Sequence, residues 1–206
     1  MTPLAFLVPG ALDQLTGGYL FDRQVVEGLR GQGRRVTVFE LEGRFPQADA
    51  AAHAAAARAL ASLPDAAAAV IDGLALPAFD RCLAEAAARL RLVGFVHHPL
   101  SLETGLGQDQ ARALAQQEGR WWRLLRGVVC PSAQTAAAIA AAGVGPQRIA
   151  IAGPGTRPVA RGARQRAPGP LRLLAVGTVT PRKGHRLLIE ALSGLRDLDW
   201  RLDCVG

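Results

Sequence analysis

Lysine, aromatic residues and cysteine are all scarce in this chain, and no long apolar run occurs. Of its 24 basic residues only Lys183 is a lysine. Arginine in place of lysine, with alanine as the commonest residue, reads as a coding bias. The net charge of +7 and pI near 10.8 therefore say little about nucleic acid. The densest basic group, Arg157, Arg161, Arg164 and Arg166, falls in a stretch that reads as a linker. No known nucleic-acid-binding motif is present, which argues against a nucleic-acid partner. The basic surface is either simply solvated or a weak attractor of acidic ligands and anionic membrane.

Three cysteines, Cys82, Cys130 and Cys204, lie far apart and form no C-x-x-C pair. That excludes a disulfide framework and a zinc site, and fits buried, reduced thiols in a cytoplasmic protein. The first apolar run lacks a basic leader and is broken by Pro9-Gly10, so it does not read as a signal peptide. No stretch of about 20 uncharged apolar residues is present to cross a membrane. With aromatics at 5%, the interior must be built from small and aliphatic side chains.

Apolar residues make up 50% of the chain, enough for a sizeable core, and their pattern alternates. Leu4-Ala5-Phe6-Leu7-Val8 is a short continuous apolar run, as expected of a parallel strand buried on both faces. Gly17-Gly18 then opens a helix with Phe21, Val25 and Leu29 on one face, and residues 35–39 form the next strand. The rhythm repeats. Strands are expected at 68–73, 91–96, 127–131 and 149–152, and helices at 48–63, 78–90, 108–126 and 133–142, with Ser132 as an N-cap. His53 is expected at the surface. This is the pattern of an α/β fold with a doubly wound, Rossmann-like parallel sheet.

Residues 157–170, rich in Arg, Gly and Pro, read as a linker after a first domain spanning 1–156. Residues 171–206 then give one more strand–helix–strand unit. Two parallel strands and one helix cannot cover their own apolar faces. The unit is therefore expected either to dock on the first sheet or to be the start of a larger, truncated second domain.

Three motifs carry chemistry, each at the carboxyl end of a strand, where open α/β sheets bind ligands. Gly17-Gly18 at a helix start suits a phosphate, or is an ordinary loop. His97-His98 follows the fourth strand, where an imidazole can exchange protons near neutral pH or merely cap the backbone. Thr178 to His185 places Arg182 and Lys183 at a strand-to-helix turn, which suits a diphosphate or is a solvated basic turn.

The stretches GGYLFDRQVVEGLRGQGRRVTVF, FVHHPL, VVCPSAQTAAAIAAAGVGPQRIAIAGPG and LLAVGTVTPRKGHRLLIEAL resemble the GT-B-fold retaining glycosyltransferases often called group 1 or family 4, in that family's order. The resemblance implies two Rossmann-like domains facing a cleft, an N-terminal one for the acceptor and a C-terminal one for a nucleotide sugar. It implies transfer of a sugar with retention of configuration, with no catalytic metal or other cofactor. His97 matches the family's histidine near the reacting sugar. Lys183 matches its lysine on the donor diphosphate, and Gly17 and Gly18 border the phosphates. Arg182 is a second candidate for the diphosphate, because Thr178 stands where members often carry an arginine. Tyr19, His98 and Glu103 are candidates for the acceptor, which would be a sugar, a lipid or a small molecule. The family's later pair of donor-site glutamates has no counterpart, since no two glutamates here are eight positions apart. The expectation is thus an N-terminal portion of such an enzyme, inactive until a C-terminal half or a completing chain is supplied. Peripheral contact with a membrane is compatible with it. A non-catalytic nucleotide or sugar-phosphate binding module on the same fold is the alternative.

Overall fold

A computed structural model describes residues 3–156 and 169–206. The expected linker falls largely on 157–168, outside the described residues. Contacts divide the chain into two compact units: Met1–Leu102 with Gly107–Gly155, and Glu103–Leu106 with Thr156–Gly206.

The first unit is an α/β layer structure. Six strands, β1 (Leu4–Pro9), β2 (Val36–Leu41), β3 (Ala68–Asp72), β4 (Arg91–Phe95), β5 (Gly127–Cys130) and β6 (Ile149–Ile151), form one sheet in the order β2-β1-β3-β4-β5-β6. All five pairings are parallel. Strand alternation sorts the core. Ala5 and Leu7 join one apolar cluster, with Leu60, Leu83, Trp121, Trp122 and Ile139. Phe6 and Val8 join another, with Val26, Val36 and Phe95. Both sets are at most 3% exposed on β1, which is why the strand reads as a continuous apolar run. Phe6, Leu7 and Val8 each contribute about 1.5–3 kcal/mol by leaving water.

The helices are α1 (Gly17–Gly31), α2 (Ala50–Ala61), α3 (Leu83–Arg89), α4 (Gln108–Leu124) and α5 (Ala133–Ala141). Asp49 caps α2 by accepting from the Ala52 amide at 2.9 Å. Ser132 caps α5 through the Thr135 amide at 3.2 Å. Before α2, Gly43 has φ +109°, and a Cβ there would strike the backbone of Ala52. Gly43→Ala should therefore destabilise this unit by on the order of 2 kcal/mol, read as a lower urea midpoint at an unchanged slope.

Several expectations are corrected. The helix expected over 78–90 is broken into a 3-10 turn, Leu76–Phe79, and α3. Between them the Asp80 carboxylate accepts from the Trp121 indole at 2.6 Å, a partner 41 positions away that local pattern cannot reveal. The buried face of α1 centres on Asp22 and Val26, with Phe21, Val25 and Leu29 only half-buried beside it. His53 is half-buried, its Nδ1 2.9 Å from the Ala78 carbonyl. Of the three thiols only Cys130 is buried; Cys204 is exposed.

In the second unit β7 (Leu171–Val176) and β8 (Trp200–Val205) pair in parallel from Leu171↔Trp200 to Val176↔Val205, joined by α6 (His185–Ser193). Only Leu192 is buried among its described residues, whereas Leu174 is 68%, Val176 73% and Leu187 71% exposed. No helix among the described residues is long and apolar enough to cross a membrane.

Candidate active site

Strand order reverses between β1 and β3, because β2 lies outside β1 and β4 outside β3. At such a reversal the connections leave in opposite directions and a crevice opens past the strand ends. Four elements meet there: the loop after β1, the start of α1, the end of β3 and the residues after β4.

His97, two residues past β4, is gripped by two carboxylates. Its Nε2 lies 2.8 Å from Oδ1 of Asp22 and 3.2 Å from Oδ2 of Asp72. Asp72 is the last residue of β3, and its Oδ1 accepts from the Leu74 amide at 2.6 Å, which locks the carboxylate in place. Asp22 comes from the second turn of α1 and is fully buried. Phe95 meets the His97 ring edge-on with centroids 4.7 Å apart, and Phe21 stands 5.6 Å away. Gly18 leaves room for this ring, since a Cβ there would lie 3.4 Å from His97 Cδ2.

The electrostatics follow from that packing. Burial is the largest influence on His97 and pulls its pKa down. The hydrogen bonds and charges of Asp22 and Asp72 outweigh it, and the imidazole is pushed up to about 9. Burial drives the Asp22 carboxyl up to about 7, against the hydrogen bond from His97, and the Asp72 charge pushes the same way as burial. The second oxygen of Asp22 is buried with no partner among the described residues. A carboxyl with one unmet oxygen in an apolar wall retains a proton readily. Burial also raises the Tyr19 phenol, whose hydroxyl donates to the Pro9 carbonyl.

Both raised values give stability the same sign. His97 binds its proton more tightly when folded, so its contribution is complete below pH 6.5 and is lost as pH climbs to about 9. Asp22 acts likewise in a lower window, from about 4 to about 7. Unfolding free energy should fall by on the order of 2–3 kcal/mol between pH 6.5 and 9, and His97→Gln should flatten that slope. Urea titrations at stepped pH read both; a wild-type slope as flat as the variant's would contradict the assignment.

The ligand atoms of Asp22, Asp72 and His97 lie within 4.8 Å of one another, close enough to surround a cation. Nε2 of His97 is the ring atom that faces both acids there.

The other candidate residues divide between the two units. Gly17 starts α1, whose first turn carries no acidic residue. Tyr19 lies beside the two acids. His98 is half-buried, with Nε2 unpartnered among the described residues. The loop after it is pinned by Glu118, a buried residue of α4 that accepts from the Leu100 and Ser101 amides at 2.6 and 3.0 Å. A cavity of about 620 Å³ opens beside this loop, lined by Leu102, Gln116, Arg120, Trp122 and Ala138 among others.

In the second unit, Pro181–Lys183 forms a 3-10 turn directly before α6. The Lys183 stem passes over Gly177, where a Cβ would lie 3.5 Å from its Cδ. The Thr178 carbonyl is 3.3 Å from His185 Nε2. Arg182 donates from Nε to Glu103 at 3.0 Å; Glu103 clusters with this unit.

Asp22 and Asp72 escape a reading of the sequence alone. The one signal for Asp72 is an acid closing an apolar strand just before a glycine. Asp22 offers none, because a lone acid on an amphipathic helix reads as solvated.

No protein-family model matches the chain, and no curated protein matches it. Solved structures do. The lipopolysaccharide outer core galactosyltransferase WaaB, in its apo form, superposes with a TM-score of 0.58 at 13% identity, over 99% of this chain and 61% of its own. Anabaena Alr3699/HepE in complex with UDP and glucose gives 0.57 at 16%, over 100% and 60%. Its complex with UDP gives 0.55 at 14%, over 99% and 69%. The chain thus spans about three-fifths of the length of WaaB. Identities this low speak for the fold alone, and the fold of this chain is that of the GT-B glycosyltransferases.

Proposed function

We propose that the chain belongs to an enzyme that transfers a sugar from a nucleotide sugar to an acceptor, with retention of configuration. The observation that carries this reading is the pair of ligand-ready strand ends on a GT-B fold. One is the His97 cluster at the strand-order reversal of the first sheet; the other is the Lys183 turn leading into α6. The neighbours named above, one a galactosyltransferase and one holding UDP and glucose, support the same class of donor.

Each residue has a role that its chemistry suits. In this reading the ring of His97 carries a proton on Nε2 and, with its pKa raised to about 9, holds a second one, so it acts as a cationic hydrogen-bond donor rather than as a base. Lys183 supplies a point charge for the diphosphate as it departs, with Arg182, Thr178 and the first amides of α6 beside it. Gly17 and Gly18 leave α1 open to an anionic group. Tyr19, His98 and Glu103 remain the acceptor candidates. The cavity beside residues 99–102 suits an acceptor with an apolar part. No metal is required by these roles. Peripheral contact with a membrane, on the cytoplasmic side, is part of the proposal. So is the need for further chain or a partner over the exposed apolar faces of β7, β8 and α6.

The test is a panel of nucleotide sugars assayed for hydrolysis and transfer. It is run on this chain and, where the reading frame continues past Gly206, on the longer product. Turnover of one donor supports the proposal. Binding without turnover in either form would move the assignment to a non-catalytic binding module.

A further inference from the structure

Nε2 of His97 faces two acceptors at once, Asp22 Oδ1 at 2.8 Å and Asp72 Oδ2 at 3.2 Å. Once both carboxyls are ionised their oxygens can only accept, so the ring nitrogen between them then carries hydrogen. The two acids come from different elements, α1 and β3, and approach the same ring atom. Phe95 and Phe21 pack the ring, and Gly18 backs it at Cδ2. Nδ1 has no hydrogen-bond partner among the described residues, and the side chain is 21% exposed. One side of the ring is thus fully engaged and the other is free for a ligand.

We propose that Asp22 is a positioning residue of this site: with Asp72 it captures the Nε2 proton of His97, so that Nδ1 is the ring atom presented to the bound sugar, as a donor to one of its oxygens. Asp72 alone could orient the ring, but its carboxylate is shared with the Leu74 amide. Asp22 makes the shorter contact and is committed to His97, its other oxygen being buried and unpartnered among the described residues. The titratable groups around the ring are Asp22 and Tyr19 on α1 and Asp72 on β3, with His98 next in sequence; no cation among them competes for the two acids. The raised pKa of His97 accords with this arrangement. The role toward sugar rests on the proposed function; the ring chemistry does not.

The test separates the two. The chain is labelled with ¹⁵N-histidine, and the four imidazoles are followed from pH 6 to 10 by long-range proton–nitrogen correlation, with His97 assigned from H97Q. In the wild type, Nε2 should stay protonated throughout while Nδ1 alone titrates, so that the neutral ring is the Nε2–H tautomer. Asp22→Asn keeps shape and removes charge, at a position where burial already favours the neutral acid. It should lower the His97 midpoint by about one unit or more and give a mixture of neutral tautomers. Asp72→Asn provides a second variant if Asp22→Asn does not fold, and the wild-type titration needs neither. A neutral wild-type ring protonated on Nδ1, or an Asp22→Asn variant with unchanged midpoint and tautomer, overturns the proposal. In the transfer assay Asp22→Asn should lower kcat about tenfold or more with little change in the donor KM. Absence of turnover in every form, with the ring behaving as described, would overturn the functional reading and leave the positioning of His97 standing.

Discussion

Lys183→Ala should lower the proposed sugar transfer by about 10²–10³-fold, mostly in kcat. The residue is the only lysine of the chain. It closes a 3-10 turn whose next residue, Gly184, adopts φ +69° as α6 begins. In the proposed reaction an ammonium at that position would meet the charge that grows on a diphosphate as the sugar leaves. An interaction that strengthens in the transition state appears in kcat, whereas uniform binding appears in KM. Lys183→Arg keeps the charge but changes its reach, and should recover part of the loss. Arg182→Ala is the informative neighbour. Its guanidinium is already engaged by Glu103, so its loss should cost roughly tenfold or less. Steady-state kinetics on the three variants, with donor varied at saturating acceptor, read the difference. Equal losses for Lys183→Ala and Arg182→Ala would remove the special role of Lys183.

Phe6→Ala destabilises the first unit by about 3–5 kcal/mol. Phe6 sits mid-strand in β1, 1% exposed, and meets Phe95 edge to face with centroids 6.1 Å apart. Phe95 in turn seats the His97 ring, so the cavity left by Phe6 opens directly beneath the site. The packed core and the candidate site are therefore joined along one line of aromatics running from sheet to imidazole. Urea unfolding, followed by the fluorescence of Trp121 and Trp122, gives the stability. The His97 midpoint in the same variant should move toward its ordinary value as the ring loosens. A loss under 1 kcal/mol would mean that the Phe6–Phe95 contact is not part of the packed core.

The fold is legible in the sequence because its strongest signals are local. Short apolar runs ending in glycine or proline give β1 and β7. The Ser132 cap and Gly143, at φ +89°, mark the ends of α5. What the sequence hides depends on partners far along the chain. The break before α3 is held by Asp80 and Trp121, 41 positions apart. The loop after His98 is fixed by Glu118, 17 and 18 positions on. His97 stands out because it follows a strand. Asp22 does not, because its 75-residue separation from His97 is bridged only when α1 packs beside β4. Nor does the one-residue offset in the α1 face show in the pattern, since the buried acid takes a place that apolar spacing assigns to solvent.

Sugar transfer with retention is the reaction proposed for the enzyme to which this chain belongs. It is met most directly by following the anomeric proton of the donor by time-resolved NMR, with a panel of nucleotide sugars and acceptors. The chain is compared with any longer product of its reading frame. One donor should be consumed and the first product should carry the donor's anomeric configuration, with Lys183→Ala abolishing the signal change on the same timescale. A first product of opposite configuration would contradict retention, and no consumption by either form while nucleotide is still bound would contradict transfer itself.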